Sequence, residues 1–179
     1  GTFMDNRYVK IFASGSKAPL KATPGHFATN HAHINYYLDM TTLKTRLSEA
    51  QEVAKHLAER FLFDKVVDTI VCLEGTQVIG AYLAEELTRA GVLSTNAHKT
   101  IYVITPEYNS NSQMVFRENI LPMVHGKNVV ILTAVVTTGL SLNKSIEAIQ
   151  YYGGKLQSAA AVFSTLDELN GCPITSIYS

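Results

Sequence analysis

The sequence predicts an α/β domain: a doubly wound, mainly parallel five-stranded sheet with helices on both faces, preceded by an amino-terminal segment of loops and short strands. Three observations lead there. From about residue 43 onward, short aliphatic and β-branched runs alternate with longer segments of helical period. The strand-like runs are nearly continuous in apolar residues, as in Asn128–Thr133, which marks strands buried on both faces. Right-handed crossovers between such parallel strands then put helices on both sides of the sheet.

The elements follow in order. Residues 1–40 carry Pro19, Pro24, Gly15, Gly25 and three histidines with no sustained helical period, so they read as loops with strands at Tyr8–Ser14 and Ile34–Met40. A helix is expected from Leu43 to Phe63, because Leu43, Leu47, Ala50, Val53, Ala54, Leu57, Ala58 and Phe61 recur every three or four residues, with Thr41 or Thr42 as its cap. Val66–Leu73 is a strand interrupted by Asp68. Gln77–Ala90 is a helix with Val78, Tyr82, Leu83 and Leu87 inward and Gly91 as its stop. Thr100–Thr105 is a strand ended by Pro106, followed by a polar stretch and a short helix around Val115–Val124. Asn128–Thr133 is a strand, Ser141–Tyr152 a helix with Leu142, Ile146 and Ile149 inward, and Gly153-Gly154 its stop. Gln157–Phe163 and Ile174–Tyr178 complete the sheet.

Composition bounds the function. The chain has 179 residues, 46% of them hydrophobic, enough for one domain with a substantial core. Fifteen basic residues balance fifteen acidic ones, which argues against nucleic-acid binding by phosphate neutralisation. The charged fraction of 17% lies below the usual ~25%. No apolar run approaches the ~20 residues of a membrane span, so no membrane partner is expected. Cys72 and Cys172 make no disulfide framework, and the chain opens without a basic-then-apolar leader. A cytoplasmic location with reduced thiols is therefore expected.

An open parallel sheet binds ligands beyond the carboxyl ends of its strands, which directs attention to Glu74–Gln77, Thr105–Gln113 and Thr133–Ser141. The most informative segment is Val129–Leu142, VVILTAVVTTGLSL. An aliphatic strand passes Thr137-Thr138-Gly139-Leu140-Ser141 and enters a helix. A helix start offers unpaired N–H groups and the positive end of its dipole. Gly139 permits close backbone approach, and the hydroxyls of Thr137, Thr138 and Ser141 add donors. Together they suit a phosphate monoester without any Lys or Arg. The plainer reading is that these residues only cap the helix.

This segment resembles the phosphoribosyl pyrophosphate (PRPP) motif of type I phosphoribosyltransferases: four apolar residues, two acids and a Val-x-Thr-Thr-Gly-x-Ser-like loop that forms the 5-phosphate site. The resemblance extends over residues 24–165 and is strongest to orotate phosphoribosyltransferases. Gly25-His26-Phe27 with Tyr36-Tyr37-Leu38-Asp39 resembles their amino-terminal segment. Val67-Asp68-Thr69-Ile70-Val71 with Glu74 to Ala84 resembles their pyrophosphate-loop strand and helix, and Val103–Asn119 stands where their flexible catalytic loop stands. The resemblance implies transfer of a phosphoribosyl group between pyrophosphate and a base, Mg²⁺ as cofactor where PRPP is used, a phosphorylated ribose or nucleotide as ligand, and a homodimer. It also implies that residues 1–40 form a hood or interface segment over a core of residues 41–179, and that Glu74, Gly75, Thr76 and Gln77 form the pyrophosphate or ligand loop.

Departures from the family pattern are specific. Its two ribose-holding acids fall at Thr133 and Ala134, and Thr105–Phe116 contains no Lys or Arg where the family carries leaving-group cations. A charge-assisted hydrogen bond is worth about 1.5–3 kcal/mol, so losing both acids removes about 3–6 kcal/mol, or about 10²–10⁴-fold in affinity. Thr133 retains one neutral hydrogen bond to offer, and Glu107 stands where the family places a loop acid; these are the two candidate catalytic groups. Three readings stay open: a phosphoribosyltransferase, a non-catalytic nucleotide-binding or regulatory module, and an assembly subunit with a vestigial pocket.

The remaining polar residues have plain explanations. His26, His31 and His33 have no Cys, Asp or Glu nearby before Asp39, so no metal site is expected. Asn30 and His31 stand near a turn that touches the base in the family. Cys72 reads as a small core residue, His98 and His125 as surface residues near turns, and Tyr151-Tyr152 as packing or interface residues.

Overall fold

The structure is a computed structural model and describes residues 9–12, 19–28, 33–39, 44, 47–89 and 93–179. Strands β1 (Val9–Phe12), β2 (Pro19–Ala28) and β3 (His33–Asp39) pair antiparallel, in that order, as a sheet of their own. β1 falls within the expected strand Tyr8–Ser14, and β3 overlaps the expected Ile34–Met40 but begins one residue earlier, at His33. β2 is a correction, because Pro19, Pro24 and Gly25 read as loop. Its register with β3 shifts between Pro24 and Phe27, an irregularity that accommodates residues poorly suited to a ladder. The expected cap at Thr41 or Thr42, the stop at Gly91, and Asn30 and His31 lie outside the described residues.

Helix α1 (Leu47–Leu57) runs on into a π-helical turn, Ala58–Leu62, where a single α-helix was expected. Ala50, Val53, Ala54, Leu57, Ala58 and Leu62 are all buried, so the apolar stripe is kept through the wider turn. Then come β4 (Thr69–Cys72), α2 (Gln77–Thr88) and β5 (Tyr102–Ile104). Ile79, Gly80, Leu83 and Leu87 form the inward face of α2, while Val78 and Tyr82 are only partly buried.

After β5 the chain makes a small hairpin, β6 (Glu107–Tyr108) with β7 (Met114–Val115). This corrects the expected loop and helix, whose helical part shrinks to one 3₁₀ turn at Leu121–Met123. Asn109 explains the hairpin: its side-chain oxygen accepts from the N–H groups of Asn111 and Gln113, at 2.9 and 3.0 Å. β8 (Asn128–Val136), α3 (Leu140–Tyr151), β9 (Lys155–Ser164), β10 (Glu168–Leu169) and β11 (Cys172–Tyr178) complete the chain.

The main sheet has the order β10-β11-β9-β8-β4-β5. Five strands are parallel, as expected; two-residue β10 adds an antiparallel sixth at the edge, too short to register as a periodic pattern. One face packs against α1 and α2 through Ile70, Cys72, Val130, Leu132 and Ala160. The other packs against α3 and the hairpin through Val71, Val129, Ile131, Met114 and Phe116. On α3, the inward residues Leu142, Ile146 and Ile149 are buried, each contributing about 1.5–3 kcal/mol by the usual transfer scale. No helix among the described residues is long and apolar enough to cross a membrane.

Asp68, the acid that interrupts the expected strand, lies at the opposite end of the sheet from the strands' carboxyl ends. Its carboxylate accepts two bonds from Asn128, backbone and side chain, both at 2.8 Å, and pairs with Lys99. Burial alone would push this carboxyl up; the Lys99 ammonium and the Asn128 donors outweigh it and hold it below its usual range.

Candidate functional site

β8 carries its aliphatic run into the loop, and the loop is pinned to β9. The Thr165 hydroxyl donates to the Thr137 carbonyl at 2.8 Å, and the Thr165 N–H to that of Val136 at 2.9 Å. Gly139 then turns the chain into α3 with φ +82°, a left-handed conformation. A Cβ there would meet the side chains of Leu166 and Leu169 at 3.1 Å, so the missing side chain also lets those leucines close under the loop. No side chain caps α3 in the usual way. The Thr138 hydroxyl accepts from the Leu140 N–H at 3.3 Å, while the Asn143 N–H bonds the Gly139 carbonyl at 2.8 Å. Thr138 thus engages the first N–H of α3, and Gly139 at the N-cap has no side chain to cap the rest of the first turn. Thr137 and Thr138 are half-buried; Leu140 and Ser141 are exposed.

This loop walls a small cavity of about 80 Å³, together with Leu73, Glu74, Thr133, Val135 and Val136. Thr133 is buried on β8. Ala134, on the opposite face of the strand, packs in the core against the helices α1 and α2. Of these two neighbouring positions one faces the cavity and one faces away, and neither holds a carboxylate.

The loop after β4 forms the adjoining wall. Glu74 and Gly75 both have positive φ, +56° and +73°. Thr76 locks this turn: its hydroxyl donates to the carbonyls of Leu73 and Leu132, at 2.7 and 3.2 Å, and it is fully buried. Of the expected ligand loop, Glu74, Gly75 and Gln77 are exposed, whereas the Thr76 hydroxyl is turned inward. Cys72, just before, is core: burial pushes its thiol up to about 12, against a hydrogen bond with Thr76.

A larger cleft of about 1080 Å³ adjoins the small cavity, sharing Leu73, Glu74 and Ser141 with it. It runs between the hairpin and the outer face of α3. Sequence reasoning missed Lys144, the one cation lining it among the described residues. Its position one helical turn beyond Ser141 was the available signal. Tyr108, from β6, also lines the cleft; burial, then the charge of Glu74, pushes its phenol up and keeps it a donor. Tyr151 and Tyr152 close the far end, Tyr152 edge-on against Phe116 with centroids 5.3 Å apart.

Glu107 does not reach this site as a free acid. Arg117, one residue beyond the cation-free stretch, donates from Nε to its carboxylate at 2.5 Å, and both side chains are exposed. Among the described residues no three His, Cys, Asp or Glu side chains gather as a metal site. His98 and His125 are exposed at turns.

No protein-family model and no curated protein sequence matches the chain. Solved structures do. Orotate phosphoribosyltransferase from Aeropyrum pernix is 19% identical, over 88% of this chain and 86% of that one, with a TM-score of 0.58. The Mycobacterium tuberculosis orotate phosphoribosyltransferase, solved with PRPP, is 15% identical over 79% and 80%, with a TM-score of 0.55. Adenine phosphoribosyltransferase from Saccharomyces cerevisiae, solved with adenine and an imino-altritol bisphosphate, is 16% identical over 98% and 96%, with a TM-score of 0.54.

Proposed function

We propose, from the type I phosphoribosyltransferase fold that these likenesses establish, that the chain binds a 5-phosphorylated ribose ligand at Thr137–Ser141 and turns PRPP over far more slowly than its fold would suggest. One observation carries the reading: the uncapped first turn of α3, entered through left-handed Gly139, walls a small cavity at the strands' carboxyl ends. The hydroxyls of Thr137, Thr138 and Ser141 are the short donors there, and the adjoining cleft leaves room for what the ribose carries.

Transfer chemistry asks for more than this. The pyrophosphate leaving group needs cations aimed at it, and the stretch from Thr105 to Phe116 has none. Arg117, one residue beyond it, is paired with Glu107, and Lys144, the cation lining the cleft among the described residues, stands on α3 and not on that stretch; both favour a non-catalytic nucleotide-binding or regulatory module over a full transferase. Mg²⁺ fits the site poorly as a protein-held ion, since Thr133 and Ala134 replace the carboxylates beside the ligand. The ion would accompany a PRPP ligand through the ligand's own oxygens, and no step here depends on it. The solved neighbours include both orotate and adenine enzymes, so the base stays unassigned. The reading further takes residues 1–40 as a hood or interface segment on a core of residues 41–179, the chain as a homodimer, and its location as cytoplasmic, where buried Cys72 and Cys172 stay reduced.

Calorimetry with ribose 5-phosphate, nucleoside monophosphates and PRPP–Mg²⁺ tests this. Ribose 5-phosphate and a monophosphate should bind, and Thr137→Val with Thr138→Val should weaken both at least tenfold. Undiminished binding by that variant would move the ligand elsewhere. PRPP consumption with any common base at the ~1–10³ s⁻¹ of ordinary enzymes would overturn the slow-turnover part.

A further inference from the structure

The sheet register brings one carboxylate of the expected ligand loop beside Thr133 in the small cavity. Cys72 of β4 pairs with Leu132 of β8, and the Leu73 N–H donates to the Leu132 carbonyl at 2.8 Å. The next residue, Glu74, therefore comes level with the Thr133–Ala134 segment of the neighbouring strand. Among the described residues Glu74 is the one charged side chain that lines both the small cavity and the large cleft. No hydrogen bond or ion pair with another described residue occupies its carboxylate, whose charge acts on the Tyr108 phenol.

Its backbone adds a second argument. A glutamate at φ +56° is unusual, since the left-handed region favours Gly, Asn and Asp. The fold holds it there through the buried Thr76 hydroxyl and the Thr76 N–H, both bonded to the Leu73 carbonyl. Strain that persists beside a cavity, and aims a free acceptor along it, is the pattern of a ligand contact. The other nearby acids are engaged: Glu107 by Arg117, and Glu147 by the Asn143 amide at 3.1 Å.

We propose that Glu74 reads the vicinal 2- and 3-hydroxyls of the ribose whose 5-phosphate sits on Thr137–Ser141. An ionised carboxylate has two oxygens and only accepts, which matches two adjacent hydroxyl donors. Thr133 faces the same cavity and offers only neutral hydrogen bonds. Glu74 thus acts as a specificity residue for ribose over deoxyribose. This inference rests on the ligand reading above.

Calorimetric titration of ribose 5-phosphate and 2-deoxyribose 5-phosphate tests it, on the full chain and on Glu74→Gln and Glu74→Asn. The second variant suits the left-handed backbone, and a thermal melt checks that both fold. The wild-type chain should prefer the ribose form by about tenfold to hundredfold, the range of a charge-assisted hydrogen bond. In both variants the ratio should fall to about threefold or less. A wild-type ratio near one, or a ratio unchanged in the folded variants, overturns the assignment of Glu74 while leaving the phosphate site standing. Failure of both sugar phosphates to bind the wild-type chain overturns the ligand reading itself, and this inference with it.

Discussion

Replacing Gly80 by alanine sets two opposed effects against each other. Gly80 is buried within α2. On an exposed helix face, Gly→Ala would stabilise by about 1 kcal/mol through helix propensity. Here a Cβ would collide with Cys72 Sγ and press Val103 Cγ1 at 3.2 Å, while Leu132 Cδ2 at 3.5 Å is in ordinary contact. The two crowded atoms belong to β4 and β5, so relief requires a shift of those side chains or of α2 away from the two strands. Overpacking costs about 1–3 kcal/mol when side chains can shift, and Cys72 is fully buried on a central strand with little freedom to do so. We expect the collision to win, with Gly80→Ala net destabilising by about 1–2 kcal/mol, a Tm drop of about 2–8 °C for a chain this size. Urea melts should show a lower midpoint at unchanged slope. Cys72→Ala removes the colliding sulfur, so the double variant should recover at least half of the loss in a double-mutant cycle. A stabilised Gly80→Ala, or a double variant that is simply additive, would refute the close approach of α2 to the sheet.

Three further outcomes follow from named contacts. Gly139→Ala puts a side chain at φ +82° against Leu166 and Leu169, and should cost about 1–2 kcal/mol of stability while weakening ribose 5-phosphate binding, read by melts and calorimetry. Asp68 is held below its usual range, so its contribution is complete above the unfolded value near 3.9 and lost as pH falls through the lower folded value; the stability gap between wild type and Asp68→Asn should shrink on acidification below about pH 4. Burial pushes the Cys72 and Cys172 thiols up to about 12 and about 11, so both should resist alkylation at pH 8 in the folded chain and react fully in denaturant.

The parallel core was legible because burial on both faces writes itself into composition. β8 shows as a nearly continuous aliphatic run, and α3 as Leu142, Ile146 and Ile149 ahead of a double glycine. The turn at Gly139 was legible for a related reason, since a glycine between a strand and a helix start leaves few other conformations. What escaped was held by tertiary contacts. β10 spans two residues and exists through pairing with β11. The hairpin at Glu107–Val115 depends on one asparagine oxygen bridging two N–H groups, which no periodicity reports. Glu107 looked free because its partner, Arg117, lies ten residues away across that hairpin. Thr76 looked like a ligand residue, but its hydroxyl spans to the neighbouring strand at Leu132, a contact that only the register reveals. Lys144 fell outside the motif and is brought to the cleft by one turn of helix.

The central claim is that the first turn of α3 holds a phosphate through its backbone. Amide chemical shifts measured during titration with ribose 5-phosphate test it most directly. The largest, saturable changes should fall on Thr138, Gly139, Leu140, Ser141 and Leu142, with the Gly139 and Ser141 signals moving downfield as their N–H groups acquire an anionic acceptor. A saturable titration that leaves those five amides unmoved, with its shifts clustered elsewhere on the chain, would contradict the account.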